Sequence, residues 1–258
     1  MSAASSDIST GRLIQDAAHA GEFNMAADLF LSQEAVRCGQ IILRFYTWDQ
    51  PTLSLGFHQK FDEDLRQSYA GRGIPIVRRP TGGRAVLHDR ELTYCLAIPI
   101  GHRLAMDGKD RLQESIGRAF VDAGRSIGLQ PQLVRRGVED QGTPIRLASG
   151  SPLCFDSISR WEVRLNGRKW IGSAQRIFPD VYLQHGSILL EVGAGHSDRP
   201  MEMPAVLDET ELRQAIPKAF AQQGNIVWHT TNLKGDEASR IATISNEIKF
   251  SQITKIAS

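Results

Sequence analysis

The sequence predicts an α/β (α+β) fold: a mixed β-sheet flanked by helices. Three observations carry this. IILRFYTW (41–48) is β-branched and aromatic, the composition of a strand. WEVRLNGRKWIGSAQ (161–175) places two extended runs on either side of Asn166-Gly167, the pair that supplies the positive φ angles of a type I′ hairpin turn. KDRLQESIGRAFVDAGRSIGL (109–129) sets Leu112, Ile116, Phe120, Ala123 and Ile127 on one face of a helix. Strands and helices mixed without strict βαβ alternation favour a mixed sheet.

The remaining elements follow in order. Residues 1–20 open on small polar residues and are expected to form a flexible N-terminal segment, with 21–258 as a single domain. GEFNMAADLFLSQEAVRC (21–38) spaces Met25, Leu29 and Ala35 or Val36 as a helix does. PTLSLGFHQ (51–59) is a short extended segment ending at a glycine. IPIV (74–77), AVLH (85–88) and LTYCLAIPI (92–100) read as extended, with a turn at Pro80, Gly82 and Gly83. Residues 136–152, rich in Gly, Pro and Ser, predict a long loop of the kind that often carries function. YLQHGSILLEV (182–192) is a further strand. DETELRQAIPKAFAQQG (208–224) gives one or two helices, interrupted at Pro217, and EASRIATISNEIKFSQ (237–252) another helix.

Composition narrows the function. The chain has 258 residues, 41% hydrophobic and 23% charged, with a net charge of +1. That balance leaves no broad basic field, so no nucleic-acid partner is expected. Three cysteines, Cys38, Cys95 and Cys154, form neither a disulfide framework nor a metal-ligand spacing. No metal is therefore expected, and a reducing cytoplasm is the default. The N-terminus has no apolar signal core. No apolar run reaches the roughly 20 residues that cross a bilayer, so no membrane partner is expected.

Two stretches carry chemistry. In RRPTGGRAVLHD (78–89), Gly82 and Gly83 let backbone approach a ligand, and Arg78, Arg79 and Arg84 suit a phosphate or carbonyl. A Gly-Gly pair is by itself most often a turn, and this one matches neither GxxxxGK[ST] nor GxGxxG. Single histidines such as His58, His88 and His185 are more often structural than catalytic. The second stretch is SPLCFDSISRWEVRLNGRKWIGSAQR (151–176), where Cys154 precedes the hairpin that bears Lys169. A free thiol ionises near pH 8.5, and a nearby ammonium lowers that value and yields a nucleophilic thiolate. A lone cysteine is otherwise a buried packing residue, and Cys38 and Cys95 are read that way.

NMAADLFL (24–31), PTLSLGFHQ (51–59), RRPTGGRAVLHD (78–89), GRKWIGSAQR (167–176) and QHGSILL (184–190) occur in this order. Together they resemble the biotin/lipoate protein ligase and lipoyl-transferase superfamily, most closely its octanoyltransferases of the LipM type. The resemblance implies an acyl-binding tunnel lined by Arg79, Gly82, Gly83, Arg84, Ala85 and His88, and by Gly172, Ser173, Ala174, His185 and Gly186. It implies Cys154 and Lys169 as the catalytic pair. It also implies octanoyl-acyl carrier protein as donor, a lysine of a lipoyl domain (such as glycine cleavage H protein) as acceptor, and no ATP cofactor. Arg84, where ligases carry a third glycine, favours the transferase branch. The phrase CFDSISRWE departs from the CFxxPSxYE wording of that branch. Backbone N–H groups near Gly82–Gly83 or Gly172–Ser173 are candidates for the oxyanion site. Arg66, Arg72, Arg135 and Arg136 are candidates for docking acidic partners. The alternatives are an ATP-dependent lipoate or biotin ligase, an amidotransferase between lipoyl domains, and a non-catalytic acyl-binding protein.

Overall fold

The computed structural model describes residues 8–60, 63–134, 161–190 and 206–254. The chain runs β1 (Ser9–His19), α1 (Gly21–Cys38), β2 (Ile41–Trp48), β3 (Thr52–Leu55), α2 (Glu63–Gly71), β4 (Ile76–Arg78), β5 (Val86–His88) and β6 (Glu91–Pro99). It continues with α3 (Arg103–Met106), α4 (Lys109–Ser126), β7 (Gln132–Leu133), β8 (Val163–Leu165), β9 (Arg168–Ile177) and β10 (Val181–Leu189). It closes with α5 (Glu209–Gly224), β11 (Ile226–Thr231) and α6 (Gly235–Thr254).

The strands form two sheets. The larger has the order β11-β1-β2-β6-β10-β9-β8-β7. In it β1 is parallel to both β11 and β2, and the other pairs are antiparallel. The smaller has the order β4-β3-β5. Helices cover both faces of the large sheet. Strand β2 shows how: Ile41, Leu43 and Phe45 enter the core shared with α4 and α5. Ile42 faces the core shared with α1 and α6, and Tyr46 and Trp48 pack with Met25 of α1. Successive side chains of a strand point to opposite faces, so a central strand covered on both sides reads as continuously apolar.

The mixed sheet and the hairpin match the sequence reading. Asn166 (φ 51°) and Gly167 (φ 75°) both have the positive φ of a type I′ turn. The N-terminal reading needs correction, because residues 9–19 are an interior strand. STGRLIQDAAH has few apolar residues, yet its polar members find partners: Arg12 pairs with Glu237 at 2.6 Å, and Asp16 meets Arg44 at 2.8 Å. The interruption at Pro217 is also corrected, since α5 runs through it. Proline removes the N–H that would bond the carbonyl of Arg213. The Gln15 side chain replaces it, with Nε2 donating to Arg213 O at 3.1 Å. Helices α2 and α3 and strand β11 were not foreseen. The predicted loop at 136–152 lies outside the described residues.

Candidate active site

The glycine loop at 78–84 links β4 to β5. Gly83 has φ 96°, a conformation L side chains rarely adopt. Across from it lies Gly56, at the end of β3, where a Cβ would run into the carbonyl oxygen of Gly83. Both arginines before the loop are committed to backbone. Arg78 Nη1 donates to Gly56 O at 2.7 Å and to Gln59 O at 3.0 Å. Arg79, 4% exposed, donates to Ser54 O at 3.1 Å, Gly82 O at 2.8 Å and Arg84 O at 2.7 Å. The planar guanidinium fork suits this: one side chain gathers a carbonyl of β3 and two of the glycine loop.

Two further tethers tie the loop to the large sheet. Arg176 of β9 donates to Pro80 O at 3.1 Å and lies over the Phe57 ring at 4.0 Å. Thr81 Oγ1 lies 2.6 Å from His185 Nε2. His185 Nδ1 in turn lies 2.8 Å from Asp28 Oδ2 of α1. Burial lowers the His185 pKa, against a smaller raising effect of Asp28. The neutral ring then donates from Nδ1 to the carboxylate and accepts from the Thr81 hydroxyl. Asp28 is anchored below by Arg44 at 3.1 Å and by the Tyr46 hydroxyl at 2.9 Å.

Two cavities meet beside this loop. One is a narrow slot of about 30 Å³ between the two sheets. Met25, Tyr46, Trp48, Val86, His88, Gly172 and Gly186 are among its walls, with Arg79 and His185. His88 stacks on Trp48 at 4.0 Å and is held by Ser54 at 2.7 Å and Glu91 at 2.6 Å. The other is wider, about 450 Å³, on the α4 side of the large sheet. Gly82, Gly83, Arg84, Lys109, Gln113, Phe120, Trp161, Glu162 and Gln184 line it. Ser173 and Ala174 line both. In the wall, Tyr94 Oη bonds Ser173 Oγ at 2.7 Å and accepts from Gln184 Nε2 at 2.7 Å.

Lys169 is buried, and its Nζ lies 2.7 Å from Glu162 Oε1, also buried. Glu162 follows Trp161, whose φ of 68° is left-handed, an outlier for so bulky a residue. Backbone bonds fix this corner: Trp161 N donates to Val134 O at 2.8 Å, and Val134 N donates to Glu162 O at 2.9 Å. The result is a buried ammonium beside the wall of the wide cavity, with a carboxylate between the two.

Comparison with known proteins identifies the family of the chain. Residues 20–223 match the model of the lipoyl protein ligase A/B catalytic domain. The chain belongs to that family. It is 36% identical to a Carboxydothermus hydrogenoformans protein named octanoyltransferase LipM, over 80% of this chain and 75% of that one. It is 38% identical to the octanoyltransferase LipM of Kyrpidia tusciae, over 71% of this chain and 67% of that one. Among solved structures, a putative lipoate protein ligase from T. acidophilum aligns with TM-score 0.69 at 19% identity, covering 92% of this chain and 95% of that one. Lipoate-protein ligase A bound with ATP aligns with TM-score 0.67, also at 19% identity, covering 92% of this chain and 94% of that one. At that identity the structures establish the shared fold alone, a large mixed sheet between helices.

Within this family fold, the residues singled out from sequence take several places. Arg79, His88, Gly172, His185 and Gly186 line the slot, and Gly82, Gly83 and Arg84 line the wide cavity. Ser173 and Ala174 are shared between them. Ala85 is fully buried in the core of the small sheet and lines neither. Lys169 stands behind Glu162 and is not itself a wall of either cavity. Cys154, Arg135 and Arg136 lie outside the described residues. Arg66 pairs with Glu63 at 2.5 Å, and Arg72 lies over Tyr69 at 5.5 Å. Sequence reasoning missed Glu162, Tyr94, Gln113 and the tether Arg176. Arg176 ends the GSAQR phrase, and Glu162 stands directly before the hairpin strand. Tyr94 and Gln113 had no signal, because only the folded sheet and helix bring them together. No described helix is long and apolar enough to cross a membrane.

Proposed function

We propose that this chain is an octanoyltransferase of lipoate biosynthesis. It moves an octanoyl group from octanoyl-acyl carrier protein to a lysine of a lipoyl domain, through a thioester on Cys154. The observation that carries the reading is its 36% identity, over 80% of its length, to a protein named octanoyltransferase LipM. The largely apolar walls of the narrow slot support it, since burial stabilises a chain by about 0.8 kcal/mol per CH₂; at about 30 Å³ the slot must widen to admit eight carbons.

In this reading the Cys154 thiolate attacks the donor's thioester carbonyl. The C–S bond to the carrier breaks, and the carrier's thiolate leaves. The neutral amine of the acceptor lysine then attacks the acyl-cysteine, an amide forms, and Cys154 departs as thiolate. Lys169 stabilises the sulfur anion as an ammonium; it then gives a proton to the departed Cys154 thiolate and, as the neutral amine, takes the proton shed by the attacking amine, which restores the ammonium. The Glu162 carboxylate supports this role by holding the amine end in place. No nucleotide takes part.

The test is intact-mass measurement after incubation with octanoyl-acyl carrier protein and no nucleotide. One added octanoyl group, absent in Cys154→Ser, is the expected result. Modification that requires ATP and free acid, and survives Cys154→Ser, would replace this reading with that of a ligase.

A further inference from the structure

We infer that the wide cavity beside α4 receives a phosphorylated, amide-bearing thioester arm, the phosphopantetheine of the acyl donor, with Arg84 and Lys109 at its mouth taking the phosphate. This rests on the acyl-transfer reading above and assigns the part of the donor that the slot cannot hold. At about 450 Å³ against 30 Å³, the wide cavity has some fifteen times the volume of the slot (450/30). It falls within the usual size of small-molecule sites, roughly 300–1,000 Å³.

Its lining matches such an arm. Ile116 and Phe120 give it an apolar side, and Gln113, Gln175 and Gln184 give it amide groups. The Gln113 amide nitrogen is buried in this wall, facing the Tyr182 hydroxyl. The Tyr182 hydroxyl donates to Gln184 Oε1 at 2.5 Å, and its oxygen takes a contact from Gln113 that stabilises the ionised form. A side-chain amide carries two N–H donors, so one remains for an amide carbonyl of the arm.

The mouth is cationic. Arg84 and Lys109 are exposed, and both line the cavity. Arg79 holds the Arg84 carbonyl at 2.7 Å, and among the described residues no side chain bonds the Arg84 guanidinium. Lys109 is the first residue of α4, and the Gly108 cap contributes no side-chain bond to that helix end. The partial positive charge at a helix N-terminus adds to the two cations. Glu162 is the acidic residue among the lining, and its charge is paired with Lys169.

The experiment compares octanoyl-phosphopantetheine with octanoyl-pantetheine, which differs only by the phosphate. Acylation rates of the full chain are followed by intact mass for the wild type, the Arg84→Ala/Lys109→Ala double variant and Arg84→Glu. Thermal melts confirm that each variant is folded. The expected result is a preference of about tenfold for the phosphorylated donor in the wild type. That ratio falls towards one in the double variant and below one in Arg84→Glu. Equal wild-type rates with the two donors, or a preference that survives both variants, would overturn the inference and leave the acyl-transfer reading intact. If these donors and octanoyl-acyl carrier protein all fail to acylate the wild type, both fall together.

Discussion

Lys169 Nζ and Glu162 Oε1 lie 2.7 Å apart, with 3% and 7% of their side-chain surfaces exposed. Burying both charges is costly, and their mutual attraction offsets that cost only while both are present. Losing one partner of such a pair costs about 3–5 kcal/mol, whereas replacing both is often near neutral. Glu162→Gln and Lys169→Met are therefore each expected to lower stability by a few kcal/mol. The double variant should be markedly more stable than the sum of the two losses predicts. Urea unfolding of all four proteins measures the coupling, and strict additivity would show that the pair does not act as a unit.

Arg79 offers a second prediction. Its guanidinium spans Ser54, Gly82 and Arg84, and no single ammonium reaches three carbonyls in that geometry. Arg79→Lys keeps the charge and loses the fork. It is expected to cost on the order of 2 kcal/mol of stability and to cut acylation rate more than tenfold, because the glycine loop borders both cavities. An Arg79→Lys enzyme with wild-type rates would show that the loop needs no such anchor.

The Gln15–Arg213 contact predicts a conditional effect. Gln15→Leu leaves the Arg213 carbonyl without its side-chain donor and should cost about 1–3 kcal/mol. In a Pro217→Ala background the helix regains its own N–H donor, so the same change should cost clearly less. The comparison is made by thermal or urea unfolding. Equal losses in the two backgrounds would mean that Gln15 does not compensate for the proline.

Stability should also fall with acidity in two stages. Burial holds the His185 pKa below its ordinary 6.5. The unfolded chain therefore takes up this proton first as pH drops. The contribution of His185 is complete above about 6.5 and declines as pH falls towards its folded value. Burial raises the Asp16 and Glu91 carboxyls, but this is outweighed by Arg44 and His19 for Asp16, and by His88, Ser187 and Thr93 for Glu91. Both end below their ordinary values of 3.8 and 4.5, so their contribution is present above that range and lost below it. Urea midpoints measured from pH 7 to pH 3 should show both declines, and His185→Gln should shrink the upper one, to which His102, also held low by burial and by Arg103, contributes the remainder. A variant with an unchanged upper limb would assign that limb to another group.

Much of the fold was legible because its signals are local. Hydrophobic periodicity marks α1 and α4, β-branched runs mark β2 and β6, and Asn166-Gly167 marks a turn that tolerates few other residues. The elements that escaped notice lack local signals. Strand β1 is largely polar and owes its place to Glu237 and Arg44, far away in sequence. Helix α5 continues through Pro217 because a residue some two hundred positions earlier replaces the missing bond, and no window of sequence contains both.

The amino-acid order alone was enough to establish the family, the hairpin that carries Lys169 and the glycine loop with its arginines. Motifs survive as short strings because backbone torsion and side-chain chemistry at each are set by adjacent residues. Tertiary structure decided which of those residues face a cavity. It turned Arg78 and Arg79 inward to hold backbone, tied His185 to Thr81 and Asp28, and set Glu162 against Lys169. Such partnerships depend on distances of about 3 Å between segments far apart in the chain, and those distances exist only once the two sheets have packed.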